Sequence, residues 1–213
     1  MSLASYQAAL PRDLCYYTID MQIILILIVS YLLGSIPFGY IMGKLYDKDI
    51  TQSGSGNIGA TNIFRLLGPT AGGIVFALDL LKGTAAVLLS FKLTNSPIII
   101  IGAGAGAILG HTFSVFMKFK GGRGVAVGLG VLLGIAPDIF LISLLWAIAI
   151  IAITRYVSVA SITGSVLATF LMFTANKPMP FCLLVLSAAI LIIYKHRPNL
   201  RRLLAGTEGK IGK

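Results

Sequence analysis

Acids are what this sequence has least of: seven Asp and Glu in 213 residues against 17 Lys and Arg, with charged residues of either sign at only 11%. Such sparse charge, with 57% hydrophobic residues and a mean hydropathy of +0.93, excludes a water-soluble domain of this size. The seven acids, Asp13, Asp20, Asp47, Asp49, Asp79, Asp138 and Glu208, leave a formal charge of +10. That excess suits anionic headgroups and anionic substrates, and part of it must be topology signalling. No nucleic-acid partner is expected. The two cysteines, Cys15 and Cys182, form no CxxC, and with only His111 and His196 besides them there is no metal-ligand cluster. No zinc site, disulfide framework or cofactor is expected. Residues 1–20 lack the apolar core of a secretory signal; they read as an N-terminal extension without assigned function, and Met21 directly precedes the first long apolar run.

What is present in quantity is apolar sequence in lengths that span a bilayer. Seven segments qualify, roughly 22–43, 71–91, 97–117, 124–136, 138–154, 157–175 and 180–194. The fourth and fifth are short and meet at Pro137-Asp138; merging them, or making one re-entrant, would leave five or six. The expected fold is all-α, a polytopic transmembrane helix bundle in which residues 21–213 form one domain. Lys and Arg on alternate connections number three (Arg12, Lys92, Lys177) against thirteen, which places the N-terminus outside and the C-terminus in the cytoplasm. Small residues recur at four-residue spacing, as in Gly102, Gly106 and Gly110, in Gly124 and Gly128, in Gly130 and Gly134, and in Ala160, Gly164 and Ala168. This spacing predicts close helix packing.

The four unusual polar segments all fall on the cytoplasmic side of this topology: "SGSGNIGATNIFR", "KFKGGRG", "RYVSVAS" and "HRPNLRRLLAGTEGK". In the first, Gly54, Gly56 and Gly59 spell the G-x-G-x-x-G of a dinucleotide turn, with Asp79 twenty residues on. Asp79 lies inside an apolar span, however, and no βαβ unit surrounds the loop, so the nucleotide reading fails. What survives is anion binding: glycines let backbone N–H groups turn inward, a helix start adds its positive end, Ser55, Asn57, Thr61 and Asn62 add neutral donors, and Arg65 a charged fork. The second loop repeats the logic, with Gly121, Gly122 and Gly124 around Arg123 and Lys118 and Lys120 just upstream; it is not a Walker A loop. Either loop alone could merely touch lipid phosphates. Together with "HRPNLRR" they suggest two anionic groups held side by side.

The remaining polar residues have structural readings of equal weight. His111 could be a buried inter-helix histidine, His196 could sit at the membrane surface, and Asp79 and Lys82, spaced i and i+3, should neutralise each other within the second span. No spacing groups an acid with Ser55 and a histidine, so no Ser-His-Asp triad is expected.

In combination, "SGSGNIGATN" with Arg65, "GHTFSVFMKFKGGRGVA" and "HRPNLRRLLAGTE" resemble the bacterial membrane-embedded acyl-phosphate:glycerol-3-phosphate acyltransferases, a match that covers nearly the whole chain from Met21. The resemblance implies acyl transfer from acyl phosphate to the 1-hydroxyl of glycerol-3-phosphate, giving lysophosphatidic acid and phosphate in phospholipid synthesis. It also implies an inner-membrane location with a cytoplasmic active site, membrane lipids as surroundings and a soluble enzyme supplying the acyl phosphate. By motif position, Ser55 and Arg65 match an essential serine and arginine. The glycines around residue 122 match a phosphate-binding loop, His196 and Asn199 match functional positions, Ser161 matches a substrate-contacting serine and Glu208 a glutamate important for integrity. Arg123 departs from the common lysine, and Pro198 from a frequent glutamate, so a helix should begin near Pro198 with Asn199 in its first turn. The rival class is a small transporter of a phosphorylated solute, which would want midplane sites and internal repeats; no repeat is evident.

Overall fold

The structure, a computed structural model, describes residues 12–212, with side chains from Met21 onward. The first eleven residues of the 1–20 extension therefore lie outside the described residues. Ten α-helices follow in order: α1 Arg12–Ser35, α2 Phe38–Leu45, α3 Ala60–Leu67, α4 Pro69–Leu93, α5 Pro97–Thr112, α6 Val125–Ile135, α7 Pro137–Thr154, α8 Val157–Thr174, α9 Met179–Lys195 and α10 Arg197–Leu204. One 3₁₀ turn, Val115–Met117, follows α5, and there is no strand among the described residues. The bundle is all-helical, as expected.

Proline places many of the boundaries. Pro69, Pro97 and Pro137 each occupy the first turn of their helix, where the missing N–H costs nothing. Pro37 stands at the break between α1 and α2, and α10 carries Pro198 in its first turn, with Asn199 beside it as expected. Each apolar segment read from the sequence is helical, but the lengths differ. Five helices or helix pairs are long and apolar enough to cross a membrane, six if α9 and α10, bent by 52° at His196, count as one broken span. The shortfall from seven lies largely in α6, whose eleven residues rise only about 16 Å.

Close packing is carried by glycine where rows were predicted. A methyl group on Gly110 would overlap the Tyr31 carbonyl of α1, and one on Gly130 the Leu80 carbonyl of α4. The row Ala160, Gly164, Ala168 behaves differently: a Cβ at Gly164 would meet nothing closer than 3.9 Å, and all three residues line a cavity instead. Helix α1 packs on α5, α4 on α6, and α8 on both α7 and α9. The main core, including Val87, Ile100, Ala107, Val127, Val131 and Met172, sits between these helices. The outer faces keep exposed Leu, Ile and Phe, such as Leu145, Ile153 and Phe170. That is the pattern of a bundle solvated by lipid.

Candidate active site

In an up-and-down bundle alternate connections return to the same end, and here the connections after α2, α5, α7 and α9 converge. They enclose a polar cavity of about 100 Å³ lined by Ser55, Asn57, Thr61, Asn62, Arg65, Asp79, His111, Arg123, Gly124, Ser158, Ser161, His196, Asn199 and Glu208. All four polar segments therefore contribute to one site. Gly54, Gly56, Lys118, Lys120, Gly121 and Gly122 do not line it.

The first loop is held by one side chain. Asn62, 2% exposed, accepts the Ser55 N–H at 2.9 Å and donates to the carbonyls of Ile50 and Ser53 at 3.2 Å each. Gly54 and Gly56 sit at φ 61° and 67°, the left-handed conformation that lets the chain turn twice around this amide. Asn57 accepts the Gly59 N–H at 3.1 Å and so steers the chain into α3, whose N-terminal residues Gly59, Ala60 and Thr61 face the cavity. Asn62 is thus the staple of the loop as well as part of its wall. Ser55, exposed, has no side-chain hydrogen bond among the described residues. Arg65 gives one N–H to the Gly209 carbonyl at 2.7 Å, while its buried Nε has no partner.

The second loop is packed rather than free. Gly122 donates its N–H to the His111 carbonyl at 3.0 Å, and a methyl group on it would overlap the His111 imidazole; on Gly121 a methyl would overlap the His111 carbonyl. These glycines are required by the end of α5. Lys118 and Lys120 point away, both exposed. Only Arg123 and Gly124 reach the cavity, Gly124 in left-handed backbone at φ 82° immediately before α6. Arg123 has no hydrogen bond or salt bridge among the described residues. Burial, with Arg202 next, lowers its guanidinium to about 10, and Arg65 adds to the repulsion. Glu208 in the same cavity offsets part of this without bonding Arg123, so the guanidinium's donors stay open to an anion.

The tail closes the site. Glu208, 7% exposed, accepts from Asn199 Nδ2 at 2.7 Å, from Ser158 Oγ at 3.2 Å and from Arg202 Nε at 2.7 Å. Burial alone would raise this carboxyl, but the hydrogen bonds from Asn199 and Arg202 hold it below its ordinary value. The Ile211 N–H bonds the Arg155 carbonyl at 2.9 Å, so residues 208–211 run as a strap from α10 to the end of α7. His196 sits at the 52° bend, and its Nδ1 lies 2.8 Å from the Ile192 carbonyl. A carbonyl can only accept, so Nδ1 carries the proton and Nε2 is left as the basic nitrogen.

Sequence reading missed one feature, and a second, an apolar groove between the glycine-rich helices, was expected without the helices that line it. Ser158, in the "RYVSVAS" segment, was not separated from its neighbours, although it holds Glu208. The second is an apolar cavity of about 340 Å³ between α6, α7, α8 and α9, lined by Gly128, Ala147, Ala160, Gly164, Ala168 and Ala189 among others. Phe76, Val125, Val157 and Ser161 line both cavities, so polar and apolar spaces meet. The Ser161 hydroxyl donates to Val157 at 2.8 Å at this junction.

Comparison with known proteins agrees with this arrangement. The glycerol-3-phosphate acyltransferase family model matches residues 24–206. A glycerol-3-phosphate acyltransferase 2 of Moorella thermoacetica is 47% identical over 89% of this chain and 98% of its own, and an Aquifex aeolicus glycerol-3-phosphate acyltransferase is 42% identical over 88% and 98%. Two crystal structures of PlsY, an integral membrane glycerol 3-phosphate acyltransferase, are 41% identical over 90% of this chain and 96% of theirs. The glycerol 3-phosphate form superposes with a TM-score of 0.86 and the lysophosphatidic acid form with 0.84. By sequence and by fold, this chain belongs to the integral membrane glycerol-3-phosphate acyltransferase family.

Proposed function

We propose that the enzyme uses acyl phosphate as donor, transferring its fatty acyl group to the 1-hydroxyl of glycerol-3-phosphate to form lysophosphatidic acid and inorganic phosphate. The observation that carries this reading is the junction of the two cavities at Phe76, Val125, Val157 and Ser161. A ligand with a phosphate head and an acyl tail would lie across it, its reacting carbonyl at the boundary.

Acyl phosphate is already activated, so catalysis reduces to positioning and charge stabilisation. Arg65 and Arg123 supply two fixed charges, one for each phosphate, and the N–H groups at the start of α3 add donors. The glycerol hydroxyl oxygen attacks the acyl carbon, Ser55 donates to the developing oxyanion or to phosphate, and the carbon–oxygen bond to phosphate breaks. The hydroxyl proton passes to the bare Nε2 of His196, a reading supported by its Nδ1 contact with Ile192. A substrate phosphate is the competing acceptor. No acyl-enzyme is required. The lysine and arginine distribution supports a polar end on the cytoplasmic side, where a soluble enzyme would deliver acyl phosphate.

The test is phosphate release by the purified protein given palmitoyl phosphate, with and without glycerol-3-phosphate. Release that needs both substrates, forms lysophosphatidic acid and disappears in Arg65→Ala is expected. Uptake of a phosphorylated solute into liposomes without turnover would overturn it.

A further inference from the structure

Deep in the bundle, three groups that the reaction above does not use are joined. The Lys82 Nζ lies 2.7 Å from Asp79 Oδ1, 2.8 Å from the Ile36 carbonyl and 3.0 Å from His111 Nδ1. Asp79, Lys82 and His111 are 2%, 3% and 5% exposed, with Asp79 and His111 at the wall of the polar cavity. The Phe38 ring faces the ammonium, its centroid 5.5 Å away.

An ammonium has three protons and no acceptor, and here three acceptors surround it. Lysine is also the stronger base of the two, so the shared proton belongs to Nζ rather than to the imidazole. His111 Nδ1 must then offer its lone pair, which puts the ring proton on Nε2. That nitrogen has no hydrogen-bond partner among the described residues. His111 lines the polar cavity, and the Nε2 edge of its ring packs on Gly122, at the start of the segment that carries Arg123 and Gly124 into that cavity.

We propose that Lys82 fixes His111 as the Nε2–H tautomer, making it a neutral hydrogen-bond donor to a substrate phosphate in the polar cavity. His111 is then a binding residue and Lys82 a positioning residue. The two histidines would hold opposite tautomers, His196 accepting through Nε2 and His111 donating through it. A neutral donor serves here because Arg65 and Arg123 already crowd the cavity with positive charge. The Asp79 carboxylate balances Lys82 within the cluster, so the device adds no net charge. The Ile36 carbonyl, beside Pro37, accepts from Lys82 as well as from the Phe38 N–H at 3.2 Å.

This inference rests on the substrate phosphate occupying the cavity. It can be tested apart from catalysis because the chain has only two histidines. Protein labelled with ¹⁵N in the imidazole rings, studied by NMR in detergent and assigned with His196→Gln, should show His111 protonated at Nε2 and bare at Nδ1. Glycerol-3-phosphate, or inorganic phosphate alone, should move the Nε2 resonance. A protonated Nδ1, or an Nε2 signal that ignores both anions, overturns the proposal whatever the variants do. The paired variant Asp79→Asn with Lys82→Met, which leaves no orphan buried charge, should release the tautomer preference; an unchanged spectrum would sink the role of Lys82. In turnover, His111→Leu should raise KM for glycerol-3-phosphate about tenfold, the size of one lost charge-assisted hydrogen bond, and His111→Gln should restore most of it. Equal kinetics for Gln and Leu would count against donation. Wild-type protein that shifts with phosphate yet transfers no acyl group would refute the proposed reaction and leave the tautomer assignment standing.

Discussion

The Asn199 amide donates to the Glu208 carboxylate at 2.7 Å, and this bond holds the C-terminal strap over the first turn of α10. It also commits Asn199 Nδ2, leaving Oδ1 buried without a partner. Because Glu208 is held below its ordinary value of 4.5, its contribution to stability is present above about pH 4.5 and is lost as pH falls through the lower, folded value. Thermal unfolding in detergent should therefore show a loss of midpoint below about pH 4.5 in the wild type. Glu208→Gln, which strips Arg202 of its anion, should lower the midpoint at neutral pH by an amount equivalent to roughly 1–3 kcal/mol and flatten the acid limb. An unchanged acid limb would show that Glu208 is not the group responsible.

His196→Gln should reduce kcat by roughly 10²- to 10⁴-fold with little change in KM for glycerol-3-phosphate, because the lost function is proton acceptance in the transition state. Steady-state kinetics with both substrates varied will separate the two constants. Retention of kcat would transfer the proton to the substrate phosphate.

Arg123→Lys should keep most activity, since a point charge in the same place still meets phosphate, whereas Arg123→Ala should lose at least about tenfold in kcat/KM. The comparison discriminates charge from fork geometry. If lysine performs as badly as alanine, bidentate contact is essential.

Ala168→Leu or Gly164→Leu should shorten the acyl chain the enzyme accepts, because both residues line the apolar cavity and Gly164 has open space where its side chain would be. Competition between acyl phosphates of different length should shift toward the shorter by about tenfold, as expected when one or two methylenes lose their place. An unaltered preference would put the chain elsewhere.

Much was legible before any coordinates. Apolar runs fix helices because a backbone in lipid must satisfy its own hydrogen bonds, and prolines mark ends, so the apolar helices were legible, though not the break at Pro37 or the helical turn of α3. The convergence of four polar segments followed from counting connections. Asp79 and Lys82 were readable as a pair because i and i+3 are neighbours on any helix.

What only tertiary structure decided depends on side chains brought together from distant segments. The glycines at 121 and 122 read as a phosphate cradle, yet it is the end of α5 that demands them, since His111 occupies their missing side-chain space. The row of small residues on α8 read as a packing stripe but faces an open apolar cavity enclosed with α6, α7 and α9. The tautomers of the two histidines are likewise invisible in one dimension: they are set by a carbonyl four residues away for His196 and by a lysine on another helix for His111. Sequence determined that this protein is a membrane bundle with its polar connections gathered at one end; the third dimension decided which atoms there donate, which accept, and where an apolar cavity meets them.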